Sequence, residues 1–573
     1  MAPLRPSTKG SSVMVRVTFR RLVGPIAAVV ALLVLLQPAI TAAQTGTGRK
    51  VLAVVAIDSY GDLKQQLLWV GPHVDNPGLA GMLESLLLLS TQGKGLSGLD
   101  VKRPLGLIVT SANDDIGIHA AVPVKDLGKL LAALQGVTGP VETDGDVRRL
   151  TLPSGQEIEI REQDGWAVIG QRGQEFDIAD PAKLLAPLVA DYTLAMETHP
   201  AVMPESLRAL IAAGIQQMAA ASASQGRPVD AEALKTALSS LNGIETMTIA
   251  MAFDPKENVV FLENKVIAVD GPAATSTSAL TVATAATEDG GLPALAAHAV
   301  QPLNDSQRRQ ILAMLDGALP QGDDKTMKIV ATVVRGLVDA MADAGGLDAA
   351  VTVDTSIPGQ LPQITAGAHI ADGPKLEKQV KDLFGPGSTL PKEVKAKFDS
   401  GKVGKANLHT VTIDVSATPA SGIVGPAVEL TLAVTPDYAF LLHGGDVKAR
   451  LETLLETNGK ANRSVADSDV PGAAIALALD RIFTYAASMG VGPQAEAAAE
   501  QAGSLVETDK DSGSVKVTGH PIDRGFVTRL SVGAGALKAA ATMAQQQQQG
   551  IGGPGGRAVP RRAPAEREPA GAR

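Results

Sequence analysis

The stretch IGIHAAVPVKDLGKLLAALQGVTGPVETDGDVRRLTLPSGQEIEIREQDGWAVIG, Ile116–Gly170, decides how this chain is read. IGIHAAVPV alternates as a strand does. KDLGKLLAALQGV carries its apolar residues at helical spacing. VRRLTLPSGQEIEI and GWAVIG read as a hairpin pair. The same order returns at Ile364–Gly444, in ITAGAHIAD, GPKLEKQVKDLFG, LHTVTIDV and VELTLAVTPDYAFLLHG. Elements that recur in order about 250 residues later mark a tandem duplication.

Working outward, Val51–Ile57 is a short β-branched run and reads as a buried strand. Asp58 and Ser59 offer a helix cap before LKQQLLWVG, and Asn76-Pro77 offers a stronger start for LAGMLESLLLLS. Leu105–Thr110 and Ile116–Val122 are expected to pair through Asn113-Asp114-Asp115. Asp180-Pro181 caps AKLLAPLVA, Tyr192–Met196 is a short strand, and Pro204 opens a long helix with Leu207, Leu210, Ile211, Ile215 and Met218 on one face. AEALKTALSSL is a further helix. Ile244–Phe253 and Val259–Val269 form a hairpin. In the second half, LPALAAHAVQPL, DSQRRQILAML, MKIVATVVRGLVDAMADAG and LDAAVTVD repeat the opening order, and GSVKVTGHP with GFVTRLSVGAG repeats the 244–269 hairpin.

The expected fold is therefore α+β, with two tandem related halves, each an antiparallel sheet with helices packed on one face. The expected boundaries are a signal peptide over 1–43, a first half over 44–286, a second half over 287–548, and a disordered Gly/Pro/Arg-rich tail over 549–573. The change of character begins at Gln545.

Within the signal, Arg16, Arg20 and Arg21 precede the apolar run Ile26–Leu36 and the small residues Thr41-Ala42-Ala43. That run is short of the roughly 20 residues a bilayer span needs, so cleavage near Ala43 is expected rather than a permanent anchor. Met14 offers an alternative start.

The chain carries a net charge of −9. The signal holds five basic residues and no acidic one, so the rest of the chain sits at −14. A clustered basic face is what nucleic acid requires, and this balance opposes it. There is no cysteine. That excludes disulfides, lipidation at a cysteine, and thiolate-held zinc or iron–sulfur centres. Aromatics make up 3% of the chain, so cores must be built from Ala, Val, Leu and Ile.

Several residues invite chemistry. His119 and His369 each follow a Gly-x within the corresponding strand of the repeat, which suggests paired ligands or pH sensors. No partner stands at ligand spacing, and the plainer reading is a solvent-facing position inherited by duplication. Asp114-Asp115, Asp144/Asp146, Asp323-Asp324 and Asp509/Asp511 are carboxylate clusters. DKDSG resembles half of a calcium loop, but all four fall at expected hairpin turns, where Asp serves the backbone. Gly444-Gly445-Asp446 lies between strand and helix, where phosphate loops sit. It lacks the P-loop Lys-Ser/Thr, and Asp446 places negative charge where phosphate would go, so it reads as an N-cap. No Gly-x-Ser-x-Gly, Ser-x-x-Lys or His-Glu-x-x-His occurs. No catalytic, cofactor-binding or metal-ligating residue is assigned.

The pattern of IGIHAAVPVKDLGKLLAAL, of the SGQEIEIREQDGWAVIGQ hairpin and of LVADYTLAMETHPAVMPESLRALI resembles a family of uncharacterised exported proteins of planctomycete-type bacteria. The resemblance implies an envelope or periplasmic location, assigns no activity and transfers no functional residue. The expected function is that of a non-catalytic exported protein with a binding or structural role. Two alternatives stand beside it: an extracytoplasmic hydrolase with its site between the halves, and a carrier of lipid or peptide in an apolar groove. Whether the surface between the halves is filled or hollow separates them.

Overall fold

Among the described residues of the computed structural model, twenty strands join in one sheet and every pairing is antiparallel. The structure describes residues 49–551 apart from 113–114, 153–154, 177, 179, 225–242, 271–291, 303–307, 310–311, 313–334, 357–360, 386–391, 418–420, 422–424, 459–471 and 489–512.

The first ten strands are β1 (Lys50–Ile57), β2 (Leu105–Ala112), β3 (Asp115–Pro123), β4 (Val141–Asp144), β5 (Val147–Thr151), β6 (Glu157–Gln163), β7 (Trp166–Gln171), β8 (Leu194–Thr198), β9 (Ile244–Asp254) and β10 (Val259–Ala268). The next ten are β11 (Leu295–Pro302), β12 (Gly346–Asp354), β13 (Gln363–His369), β14 (Val394–Val403), β15 (Ala406–Asp414), β16 (Ala427–Val434), β17 (Tyr438–His443), β18 (Ala473–Ala478), β19 (Ser514–Ile522) and β20 (Gly525–Gly533). Across the ladder the order is β4-β5-β6-β7-β3-β2-β1-β8-β9-β10, then β20-β19-β18-β11-β12-β13-β17-β16-β15-β14.

Helices start where acidic or hydroxyl side chains satisfy their first N–H groups. Ser59 Oγ accepts from the Asp62 N–H at the head of α1 (Tyr60–His73). Asp126 caps α3 (Leu127–Thr138), and Asp180 caps α4 (Pro181–Val189) with Pro at the first position. Asp372 caps α6 (Gly373–Phe384), accepting from the Lys375 N–H. The expected N-cap at Asp446 is present: it accepts from the Ala449 N–H at 3.0 Å, opening α7 (Val447–Asn458). Gly444 and Gly445 before it have φ of 69° and 61°, so the turn is made of residues without a Cβ.

Three expectations are corrected. First, α2 (Leu79–Ser90) begins after Gly78 with no side-chain cap, so Asn76-Pro77 is not its start. The Asn76 side chain reaches the Met82 sulfur instead. Second, α9 (Ala534–Ile551) continues through the glutamines at 545–549. Glutamine is an unbranched residue with good helix propensity, and a run of it extends a helix that packing has already nucleated.

Third, helices cover both faces of the sheet rather than one. Leu185 and Leu188 of α4 pack on Trp166 and Val168 of β7, whereas Leu127, Leu130 and Leu131 of α3 pack around Ala167 between them. Neighbouring residues of a strand point to opposite faces, so an uninterrupted apolar run such as WAVI calls for cover on both. The later strands are treated alike. α7 packs Leu451 and Leu454 on the face of Phe440 and Leu442, and α6 packs Leu376 and Val380 on the face of Ala439. The helix expected over AEALKTALSSL and the tail from residue 552 lie outside the described residues.

Candidate apolar ligand site

The feature with the strongest ligand-binding geometry is a hollow on the α6 face of the sheet. Register brings together alanines that are far apart in sequence. Ala473 of β18 pairs with Ala299 of β11, Ala299 with Ala349 of β12, Ala349 with Ala368 of β13, and Ala368 with Ala439 of β17. One step along the strands a parallel row runs Ile475, Ala297, Val351, Ala366, Leu441 and Leu432 of β16. Residues two apart on a strand share a face, so both rows form one floor. Leu337, in a helical segment at 335–343, joins Leu376 and Val380 of α6 as walls at one end.

The hollow measures about 550 Å³, within the usual range for small-molecule sites. Among the described residues its lining holds no Asp, Glu, Lys or Arg. Leu376 and Val380 are buried beneath α6, whereas Ile475 at 49% and Leu441 at 38% are exposed, so the hollow opens along the row that joins them. His298 also borders the space, but it lies between Ala297 and Ala299 and its side chain belongs to the opposite face.

The histidines singled out by sequence are not brought together. His119 sits in β3 opposite Ile108, and His369 sits in β13 opposite Tyr438. His119 lies seven residues before the cap Asp126 and His369 three before the cap Asp372, so the two stand at different distances from the helix that follows. His119 is 0% exposed, which corrects the solvent-facing reading.

Gly117 and Gly170 make room for its ring, since a Cβ on either would lie within 2.8 or 2.9 Å of a ring nitrogen. Phe176 packs edge-on at 5.5 Å. Burial holds the imidazole down at about 4, with the nearby Arg49 guanidinium reinforcing and Asp115 opposing. Arg49 pairs with Asp115, so that carboxylate serves an ion pair. Asp144 pairs with Arg149 at 2.8 Å and Asp146 lies in the β4–β5 turn, as the turn reading expects. Asp114, Asp323-Asp324 and Asp509/Asp511 lie outside the described residues.

A group not foreseen from sequence is Glu377, Asp399 and His409, whose ligand atoms lie within 4.8 Å of one another. Its hydrogen bonds do not suit a metal. The Asp399 backbone N–H donates to His409 Nδ1 at 3.1 Å, so that nitrogen carries the lone pair and Nε2 carries the proton of the neutral ring. A metal-bound imidazole does the reverse, donating its other N–H outward. Lys381 already bridges Glu377 at 2.7 Å and Asp399 at 2.9 Å. Burial pushes Glu377 up, but hydrogen bonds from Lys381 and Asn407 outweigh it and hold the carboxyl below its ordinary range. This is a charge network in which a lysine supplies the cation.

Where β10 meets β20 the surface is filled. Glu263, 6% exposed, accepts from Tyr192 Oη on one oxygen and from Arg529 Nε at 2.7 Å on the other. The Arg529 guanidinium also lies 4.3 Å over the Phe261 ring. Burial, then the Glu263 hydrogen bond, pushes the Tyr192 hydroxyl well above its ordinary range. Both carboxylate oxygens are engaged, which is the arrangement of a structural ion pair.

No protein family, curated protein or solved structure matches the chain. No helix among the described residues is long and apolar enough to cross a membrane.

Proposed function

We propose that this is an exported, non-catalytic binding protein built of two related halves, and that its ligand is an apolar molecule held in the alanine-floored hollow. The observation that carries the reading is the hollow itself: 550 Å³, with no charged side chain in its lining among the described residues, and open along Ile475 and Leu441. Apolar surface left uncovered at that scale is unfavourable in water and is relieved by an apolar occupant.

The duplicated architecture supports it. Pairings repeat in order from β1–β10 to β11–β20, and the caps Asp126 and Asp372 set the alignment of the two runs. Carried through the register, Ala297, Ala299, Ala349, Ala368 and Ala473 correspond to Val55, Ile57, Leu105, Val122 and Leu194. Each alanine lacks two or three carbons that its counterpart carries, which leaves more room over the second floor than over the first. The same alignment makes Glu263 the counterpart of Arg529, and these two face each other where β10 meets β20. A junction on a two-fold axis sets a residue against its own counterpart. Opposite charges there turn a like-charge clash into an ion pair.

A hydrolase at the junction has less support, because Glu263 is fully engaged. The exported location rests on the basic n-region and the apolar run before Ala43.

The test is to extract the purified protein with organic solvent, identify co-purified molecules by mass spectrometry, and then titrate the delipidated protein with a polarity-sensitive dye. Saturable binding of about one dye per chain is expected, weakened at least tenfold in Ala349→Leu and Ala366→Leu, which fill the floor. A folded wild-type protein that binds no dye saturably sinks the proposal.

A further inference from the structure

We infer that the hollow is a trough for one extended hydrocarbon chain, the tail of a single-chain lipid of about 16 to 18 carbons. This rests on the apolar-ligand reading and goes beyond it by naming the ligand class. The floor spans six strands, from Ile475 on β18 through β11, β12, β13 and β17 to Leu432 on β16. Adjacent strands lie about 4.8 Å apart, so five spacings make the trough about 24 Å long. Along each strand it is narrow: the paired floor residues, such as Ala297 and Ala299 or Ala366 and Ala368, are about 7 Å apart.

Carbon contacts at about 4.0–4.5 Å make an extended alkyl chain about 5 Å thick. One such chain lies between the two floor rows, whereas two side by side need about 10 Å. With C–C bonds of about 1.5 Å and near-tetrahedral angles, a chain advances about 1.3 Å per carbon, so about 24 Å holds roughly 18 carbons.

Orientation follows from the ends. Leu376 and Val380 are buried beneath α6, Ile475 is the most exposed floor residue, and the described lining residues include no Asp, Glu, Lys or Arg. The methyl end therefore lies under α6, and the polar head emerges past Ile475 at β18. A free fatty acid and a lysolipid share this tail chemistry, and the test separates them.

The delipidated full chain is loaded with a polarity-sensitive dye and titrated with saturated fatty acids from C8 to C22, with lysophosphatidylcholines of the same lengths, and with a sterol. Displacement should peak at C16–C18 and fall at least tenfold by C10. The better of the two head-group series identifies the source. Ala473→Leu restores the residue type of its counterpart Leu194 and blocks one strand spacing at the open end. It should shorten the preferred chain by about four carbons. A flat length profile in the wild-type protein, or a sterol that displaces dye better than any chain, overturns the single-chain assignment while leaving the apolar-ligand reading intact. Absence of saturable dye binding overturns both. The wild-type length series decides the matter even if the variant does not fold.

Discussion

His119 carries a definite pH consequence. Its ring is buried and neutral, and neither nitrogen has a hydrogen-bond partner among the described residues. The folded chain takes up its proton only near pH 4, whereas an unfolded chain does so near the ordinary value of 6.5. Between those values the unfolded state binds more protons, so stability is full above about pH 6.5 and drains away as pH falls towards 4. The window is worth about 3 kcal/mol at most. His119→Gln should flatten the stability profile there, as read from urea midpoints at pH 7.5 and 4.5. Parallel profiles for the two proteins would count against it. Capping residues such as Ser59, Asp180 and Asp446 were legible in the sequence because a cap acts within three residues of itself. The burial of His119 was not, because alternation shows that a strand has two faces without showing that both are covered.

Elements behave likewise. The packing of α4 rests on Leu185, fully buried against the β1–β2–β7 face. Leu185→Ala should lower stability by about 2–5 kcal/mol, the range for a large cavity in a core that cannot collapse. Gly106 lies directly beneath, with the Leu185 Cδ2 atom 2.5 Å from where its Cβ would be. Calorimetry of the variant gives the check, and a loss below 1 kcal/mol would show that the neighbours close the gap. Long amphipathic elements were readable, among them α3, α6, β9 and β10. β4, β14 and β18 were not. β4 is four polar-edged residues, β14 alternates lysines with small apolar residues, and AAIALA in β18 has no strong preference between helix and strand. Only their partners make them strands.

At the scale of the molecule, the mixed helix-and-strand class with antiparallel pairing was legible from the alternating strands and amphipathic helix of Ile116–Gly170, but the trough was not. Its floor joins Ala297 to Ile475 and Ala368 to Ala439, and no local window contains such pairs. If two related halves meet at β10 and β20, the nine residue pairs there hold them together after the connection is cut. A protease site placed within 271–291 of the intact chain should, once cleaved, leave two fragments that co-elute in gel filtration. Combining the nick with Glu263→Ala and Arg529→Ala should separate them at a lower urea concentration, and fragments that part without denaturant would contradict the junction.

A sheet of this length also has a mechanical character. Its outermost strands, β4 and β14, each pair with one neighbour in the ladder. Tension applied through those two strands runs across the strands, along the hydrogen bonds. Each seam then opens from one end, bond by bond, as a zip does. The ladder acts as nineteen such seams in series, and the seam with the fewest bonds yields first. β4–β5 and β3–β7, with four paired residues each against nine at the centre, are the built-in fuses. Both lie among β1–β10, so the strands that floor the trough stay paired when the first seam parts.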